Sequence, residues 1–191
     1  MDNITFAIPT YNNAETIMTV LKRCLQQDVK PKILIMDNGS TDGTVEMLRA
    51  AINNGIFGPV DIKLESVQRM LGGKSKNIPY VRYKLCQAVD TEYVFLLDAD
   101  VLIPQHAILG LREMLEEDGD LVGAGIRVDP IVEHIQFGAI LLKSEIARQI
   151  KWNNGEGKCE CLWALQSINQ LDDNYKVKRH PVYQAMHLKG F

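Results

Sequence analysis

The sequence predicts a single-domain α/β fold: an open, twisted, mostly parallel sheet flanked by helices. Three observations carry that expectation. Short apolar runs alternate with amphipathic segments through the first hundred residues, as strands and crossover helices do. The most apolar run, YVFLL (93–97), shows no polar alternation, the mark of a strand covered on both faces. A length of 191 residues suits one core rather than two.

The elements follow in order. ITFAIP (4–9) reads as the first strand. AETIMTVLKRCLQQ (14–27) then places Ile17, Val20, Leu21, Cys24 and Leu25 at helical spacing behind Asn13 as a cap, and Lys30-Pro31 ends the excursion. KILIM (32–36) is the second strand, and the polar, glycine-containing turn DNGSTDGT (37–44) leads into the helix VEMLRAAI (45–52). VDIKLE (60–65) is a third strand, followed by a polar loop at 66–77 and a helix capped at Asn77, with Pro79 in its first turn, running through Val89. After the fourth strand, YVFLL, a helix is expected from Pro104 through QHAILGLREMLEE. LVGAGIRV (121–128) and HIQFGAILL (134–142) read as strands, Cys161 to Leu171 as a helix, and Val177 to His187 as short strands.

Composition narrows the function classes. Hydrophobic residues make up 46% and charged residues 24%, so the chain should fold throughout. A net charge of -3 lacks the basic excess of a nucleic-acid binder, leaving only a local basic patch around Lys74 and Lys76. The N-terminus has no signal-peptide pattern, and no apolar run approaches roughly 18 to 20 residues. A soluble, cytoplasmic protein without a transmembrane segment is expected. Cys24, Cys86, Cys159 and Cys161 are expected as reduced thiols. The CEC pair (159–161) is too close for an ordinary disulfide and supplies only half a zinc site.

In open α/β sheets ligands bind outside the carboxyl ends of the strands. Two polar turns fall there, DNGSTDGT and the DADV that carries Asp98 and Asp100. Aspartate is common in turns and helix starts, which is one reading of the pair. The other starts from repulsion: two carboxylates so close are stabilised by a cation between them or by a retained proton. Oxygen ligands favour Mg²⁺ or Mn²⁺, whose open positions take water and phosphate oxygens, so a nucleotide diphosphate is the natural partner.

Four segments together resemble family 2 glycosyltransferases of the Rossmann-like GT-A fold: FAIPTYNNAETI (6–17), ILIMDNGSTDGT (33–44), KSKNIPYVRYKLCQAVDTEYVFLLDADVLIP (74–104) and GKCECLWALQSINQLDDNYKV (157–177). The likeness spans most of the chain and keeps the family's order. It implies a nucleotide-sugar-binding half at 1–104 and an acceptor and catalytic half at 105–191. Pro9, Thr10 and Tyr11 would then line the base and ribose pocket, with Asp37 contacting base or ribose. Asn38 departs from the family's second acid at that turn. Lys74 and Lys76 would neutralise the diphosphate, and Asn77 would reach base or sugar, where many relatives have Arg-Asn.

The resemblance also divides the labour of the two aspartates, with Asp98 toward ribose or donor sugar and Asp100 toward an Mn²⁺ or Mg²⁺ ion that His187 completes. Glu160 falls on the catalytic base, with Cys159 where relatives carry another acid. Gly138 would leave room for the incoming hydroxyl, and Phe137 and Trp152 would offer sugar-stacking faces. The expected activity is metal-dependent, inverting transfer of a sugar from a nucleotide diphosphate to a hydroxyl of a glycan, lipid-linked, protein or modified nucleic-acid acceptor. The rival readings are a nucleotidyltransferase acting on a sugar phosphate and a non-catalytic nucleotide-sugar binding module. Because the chain stops soon after His187, a shallow acceptor site is expected, completed by a homo-oligomer or a partner subunit.

Overall fold

The computed structural model describes residues 3–67, 74–129, 133–153 and 159–188, with the side chains of residues 74–77 outside that description. Strands β1 (Ile4–Thr10), β2 (Lys32–Asp37), β3 (Ile62–Ser66) and β4 (Tyr93–Leu97) form a parallel block in the order β3-β2-β1-β4. Helices α1 (Ile17–Leu25), α2 (Thr44–Asn53) and α3 (Lys74–Ala88) are its crossovers.

Beyond β4 the sheet continues with strands of mixed direction. β5 (Val101–Leu102), β6 (Leu121–Val128), β7 (Ala139–Lys143) and β8 (Lys176–His187) complete the eight-stranded order β3-β2-β1-β4-β7-β6-β8-β5. β7 runs antiparallel to both β4 and β6, β8 parallel to β6, and β5 antiparallel to β8. Helices α4 (Ala107–Glu117), α5 (Ser144–Ala147) and α6 (Glu160–Asn169) connect them.

Two apolar layers sandwich the sheet, and the period of two along each strand sorts residues between them. Phe6, Ile8, Phe95 and Leu97 face α1, α2 and α4 through Ile17, Leu21, Leu48 and Leu111. Ala7, Leu34, Val94 and Leu96 face α3, α5 and α6 through Val81, Leu85, Ile146 and Ile168. YVFLL is therefore uninterrupted because both its faces are core, and each fully buried side chain of this size contributes about 1.5–3 kcal/mol. No helix among the described residues is long and apolar enough to cross a membrane.

Several element boundaries differ from the sequence expectation. α1 begins at Ile17, and Asn13 contributes its carbonyl to Thr16 N–H and Ile17 N–H rather than a side-chain cap. α3 begins at Lys74, so Asn77 is inside it and Pro79 is its sixth residue. α4 begins at Ala107 because His106 adopts a left-handed backbone, φ 61°, after Pro104. β7 begins at Ala139, leaving Phe137 and Gly138 in the preceding turn. The expected short strands after Val177 are one strand, β8. Its pairing with β6 shifts between Arg179 and Gln184, and Pro181, which has no N–H to donate, lies in that irregular stretch.

Candidate active site

The carboxyl edges of β1 and β4 open into one cleft lined by Pro9, Tyr11, Asn13, Ile78, Arg82, Asp98, Ala99, Asp100 and Glu160. Its floor is the DAD turn. Asp98 N–H donates to Gly138 O at 2.9 Å and Val101 N–H to Asp98 O at 3.1 Å, which closes the turn. Thr16 Oγ1 donates to Ala99 O at 2.9 Å, tying the turn to the start of α1.

Arg82 organises the cleft, and the sequence reading did not single it out. Its side chain is 3% exposed. Nη2 donates to Asp98 Oδ1 at 2.8 Å, Nη1 donates to Phe137 O at 2.6 Å, and Glu160 Oε1 stands 3.8 Å from Nη2. Burial works against the guanidinium charge, but the carboxylates of Asp98 and Glu160 hold its pKa above the ordinary arginine value. A signal for it was available. Arg82 lies on the helix stripe of Val81, Leu85 and Cys86, which are buried, and a cation on an apolar stripe has to find an internal anion.

Asp98 fits its place because residue 138 is glycine. A Cβ there would lie 2.4 Å from Asp98 Oδ2 and 3.1 Å from its carboxyl carbon. The space that a side chain at 138 would need is filled by the Asp98 carboxylate. The expectation for Phe137 is corrected: it is 0% exposed and packed edge-on against Trp152 with ring centroids 5.6 Å apart. It is a core residue, not an exposed sugar-stacking face. Trp152 is half-buried, with the Arg82 guanidinium carbon 5.9 Å from its ring centroid.

Asp100 belongs to a different neighbourhood. The pairing of β5 with β8 sets Val101 opposite His187, and Leu188 N–H donates to Asp100 O at 2.7 Å. His187 Nδ1 thus comes to 3.9 Å from Asp100 Oδ1, outside hydrogen-bond range, with each side chain 26% exposed. A carboxylate oxygen and an imidazole nitrogen at that spacing, facing solvent, fit a shared divalent cation.

The turn after β2 is built by Asp37. Its Oδ2 accepts from Gly39 N–H at 2.9 Å and Ser40 N–H at 3.1 Å, and its Oδ1 accepts from Ser40 Oγ at 2.5 Å. Asp37 and Asn38 are both buried, and Asn38 N–H donates to Thr10 O at 2.8 Å. Thr10 is buried as well, whereas Tyr11 is half-buried at the cleft wall. Structure at this turn therefore accounts for Asp37 by itself. Lys74, Lys76 and Asn77 occupy the start of α3, and their side chains lie outside the described residues.

Glu160 is the first residue of α6, where its charge suits the helix dipole. Its neighbours are thiols. Cys159 stands at the N-cap without capping the helix through its side chain, and its Sγ is instead 3.0 Å from His134 Nε2. Cys161 Sγ accepts from Phe137 N–H at 3.3 Å. Burial pushes the Cys161 thiol up to about 12, with Arg82 opposing the rise.

The sequence profile described as Glycosyl transferase family 2 matches residues 5–170. The poly-beta-1,6-N-acetyl-D-glucosamine synthase of Staphylococcus aureus (strain COL) is 30% identical over 122 residues, which cover 63% of this chain and 27% of that protein. The chain thus spans about a quarter of that relative's length. Among solved structures, the mannosyltransferase PcManGT from Pyrobaculum calidifontis, in complex with GDP-Man and Mn²⁺, superposes with a TM-score of 0.76 at 17% identity, over 97% of this chain and 56% of that one. S. aureus TarS 1-349 in complex with UDP-GlcNAc gives 0.72 at 16% identity, over 100% and 60%. At such identities these structures establish a shared fold, the GT-A architecture.

Proposed function

Because the chain belongs to glycosyl transferase family 2, we propose that it transfers a sugar from a nucleoside diphosphate donor to an acceptor hydroxyl, with inversion, in a single displacement. The observation that carries this is the convergence of Asp98, Asp100 and Glu160 on one cleft, with Arg82 anchoring two of them. Residues 1–104 form the donor half and 105–191 the acceptor half in this reading. Tyr11 and Pro9 wall the nucleoside, while Thr10, Asp37 and Asn38 shape its floor from below. Lys74, Lys76 and Asn77 belong to the donor-binding side at the head of α3.

Asp98, fixed by Arg82, points one carboxylate edge toward ribose or donor sugar. Glu160 takes the proton of the acceptor hydroxyl as its oxygen attacks the anomeric carbon from the face opposite the diphosphate. The bond from that carbon to the diphosphate oxygen breaks, and its electron pair leaves with the nucleoside diphosphate. Asp100 and His187 would hold Mn²⁺ or Mg²⁺, which supplies positive charge to the departing diphosphate when bound. Trp152, the one half-buried aromatic of the acceptor set, borders the acceptor side.

Titration calorimetry with UDP and GDP, with and without Mn²⁺, tests the donor half. Asp100→Ala is expected to abolish the Mn²⁺-dependent part of binding. Metal-independent binding that Asp100→Ala leaves unchanged would sink the metal role. Glu160→Gln should retain donor affinity while turnover of UDP-GlcNAc, GDP-mannose or another productive donor falls about 10²–10⁴-fold. Full turnover in that variant removes Glu160 as the base, and release of pyrophosphate from a nucleoside triphosphate would reassign the chemistry to nucleotidyl transfer.

A further inference from the structure

We propose that His134, Cys159 and Cys161 form a second metal site, of thiolate and imidazole ligands, that takes Zn²⁺ and fixes the N-terminus of α6. The ligand atoms of these three residues all lie within 4.8 Å of one another. Zn–S bonds of about 2.3 Å and Zn–N bonds of about 2.0–2.1 Å place tetrahedral ligand atoms roughly 3.5–3.8 Å apart. Closing the wider pairs of the set requires a contraction of up to about 1.3 Å. Cys159 Sγ and His134 Nε2 are in contact at 3.0 Å, and an ion entering between them would part this pair by about 0.5 Å.

The surroundings suit a metal-bound thiolate. Phe137 N–H donates to Cys161 Sγ at 3.3 Å, an outer hydrogen bond aimed at sulfur. Both cysteines sit at the start of α6, whose positive end favours thiolate. Arg179 donates to the carbonyl of His134 and so restrains its backbone. Cys159 makes no side-chain cap to α6, and its Sγ lies against His134 instead.

Ligand chemistry sets the metal. Two thiolates and a neutral imidazole balance the charge of a divalent ion, with the two thiol protons released to solvent as it binds. Soft sulfur donors select zinc over Mg²⁺ or Mn²⁺, so this site is distinct from Asp100 and His187, whose oxygen donor suits the harder ions. Three protein ligands leave a fourth position for water. Glu160 lies between the two cysteine ligands in sequence and 3.8 Å from Arg82. Zinc would therefore hold the backbone of the residue proposed above as base, yet the site itself stands independently of the transferase reading.

The full chain, reduced and stripped with chelator, is titrated with Co²⁺ as a spectroscopic substitute and then with Zn²⁺. The expected result is one thiolate-bound ion per chain, read from intense thiolate-to-cobalt absorption that Zn²⁺ abolishes. Cys159 is exposed, so Cys159→Ser tests the ligand with little disturbance of the fold, and His134→Ala tests the imidazole. Each should weaken Co²⁺ binding by at least about 10–100-fold, the loss typical of outer contacts alone. Asp100→Ala should leave the absorption intact, which separates this site from the diphosphate site. The proposal is overturned if the reduced wild-type chain shows no thiolate band, or if the band survives both Cys159→Ser and His134→Ala.

Discussion

Asp98 and Asp100 are separated by one alanine, and their surroundings share almost nothing. Asp98 is gripped at 2.8 Å by an arginine buried beneath the cleft, with Gly138 against its second oxygen. Asp100 faces solvent beside His187, which arrives from the far end of the chain on β8. The first carboxylate is part of the interior hydrogen-bond network, whereas the second stands a quarter exposed, 3.9 Å from the His187 imidazole. A motif of two like charges therefore contains one carboxylate anchored on a buried cation and one displayed at the cleft beside an imidazole.

The sharpest way to break this contrast is Asp98→Ala. It leaves the Arg82 guanidinium buried, with Phe137 O and a more distant Glu160 as its remaining acceptors. Removing one partner of a buried pair typically costs about 3–5 kcal/mol, and a loss of that order is expected in urea or thermal unfolding. Arg82→Met should cost less, about 1–3 kcal/mol, because Asp98 is a third exposed and can turn to water. Equal losses in the two variants would show that the pair is not anchored from the arginine side.

Gly138→Ala probes the same carboxylate from its other edge. The new Cβ would overlap Asp98 Oδ2, and because Arg82 pins that side chain the clash is relieved only by loosening the 2.8 Å bond. Overpacking of this kind costs about 1–3 kcal/mol. Donor affinity should fall with it, and calorimetry with the nucleoside diphosphate would read that. A variant with unchanged stability and binding would mean that Asp98 swings freely.

The parts of this molecule that could be read from the sequence are those decided by local pattern. The parallel strands β1, β2 and β4 are apolar on both faces and are legible as runs, and the DAD turn follows from where β4 ends. Boundaries set by single backbone conformations were not legible, such as the left-handed His106 that delays α4 or the irregular stretch that lets Pro181 stay inside β8. Site residues defined by long-range packing were the hardest. Phe137 could be read in sequence as a core residue or a sugar-stacking face, and only its packing against Trp152 in the second core layer decides for the core. Arg82 acquires its role only when α3 delivers it beneath Asp98, although its place on an apolar helix stripe was a hint. His134 and the CEC pair are separated by 24 residues and meet only because the turn before β7 abuts the start of α6.

The smallest expected effect on stability comes from Asp100→Ala. Its side chain is about a quarter exposed and stands beyond hydrogen-bond distance from His187, while the Leu188 contact uses the backbone carbonyl, which the substitution retains. Losing a solvent-facing charge pair of this kind costs about 0–1 kcal/mol, so the unfolding midpoint should move much less than in Asp98→Ala. The Mn²⁺-dependent component of nucleotide binding should nevertheless vanish, the reverse of what a purely structural aspartate would do. His187→Ala should reproduce that loss, since in the proposed reading the two side chains, 3.9 Å apart, hold one ion. If Asp100→Ala instead unfolds the chain as Asp98→Ala does, the two carboxylates form one structural unit, and the division between the anchored acid and the displayed one fails.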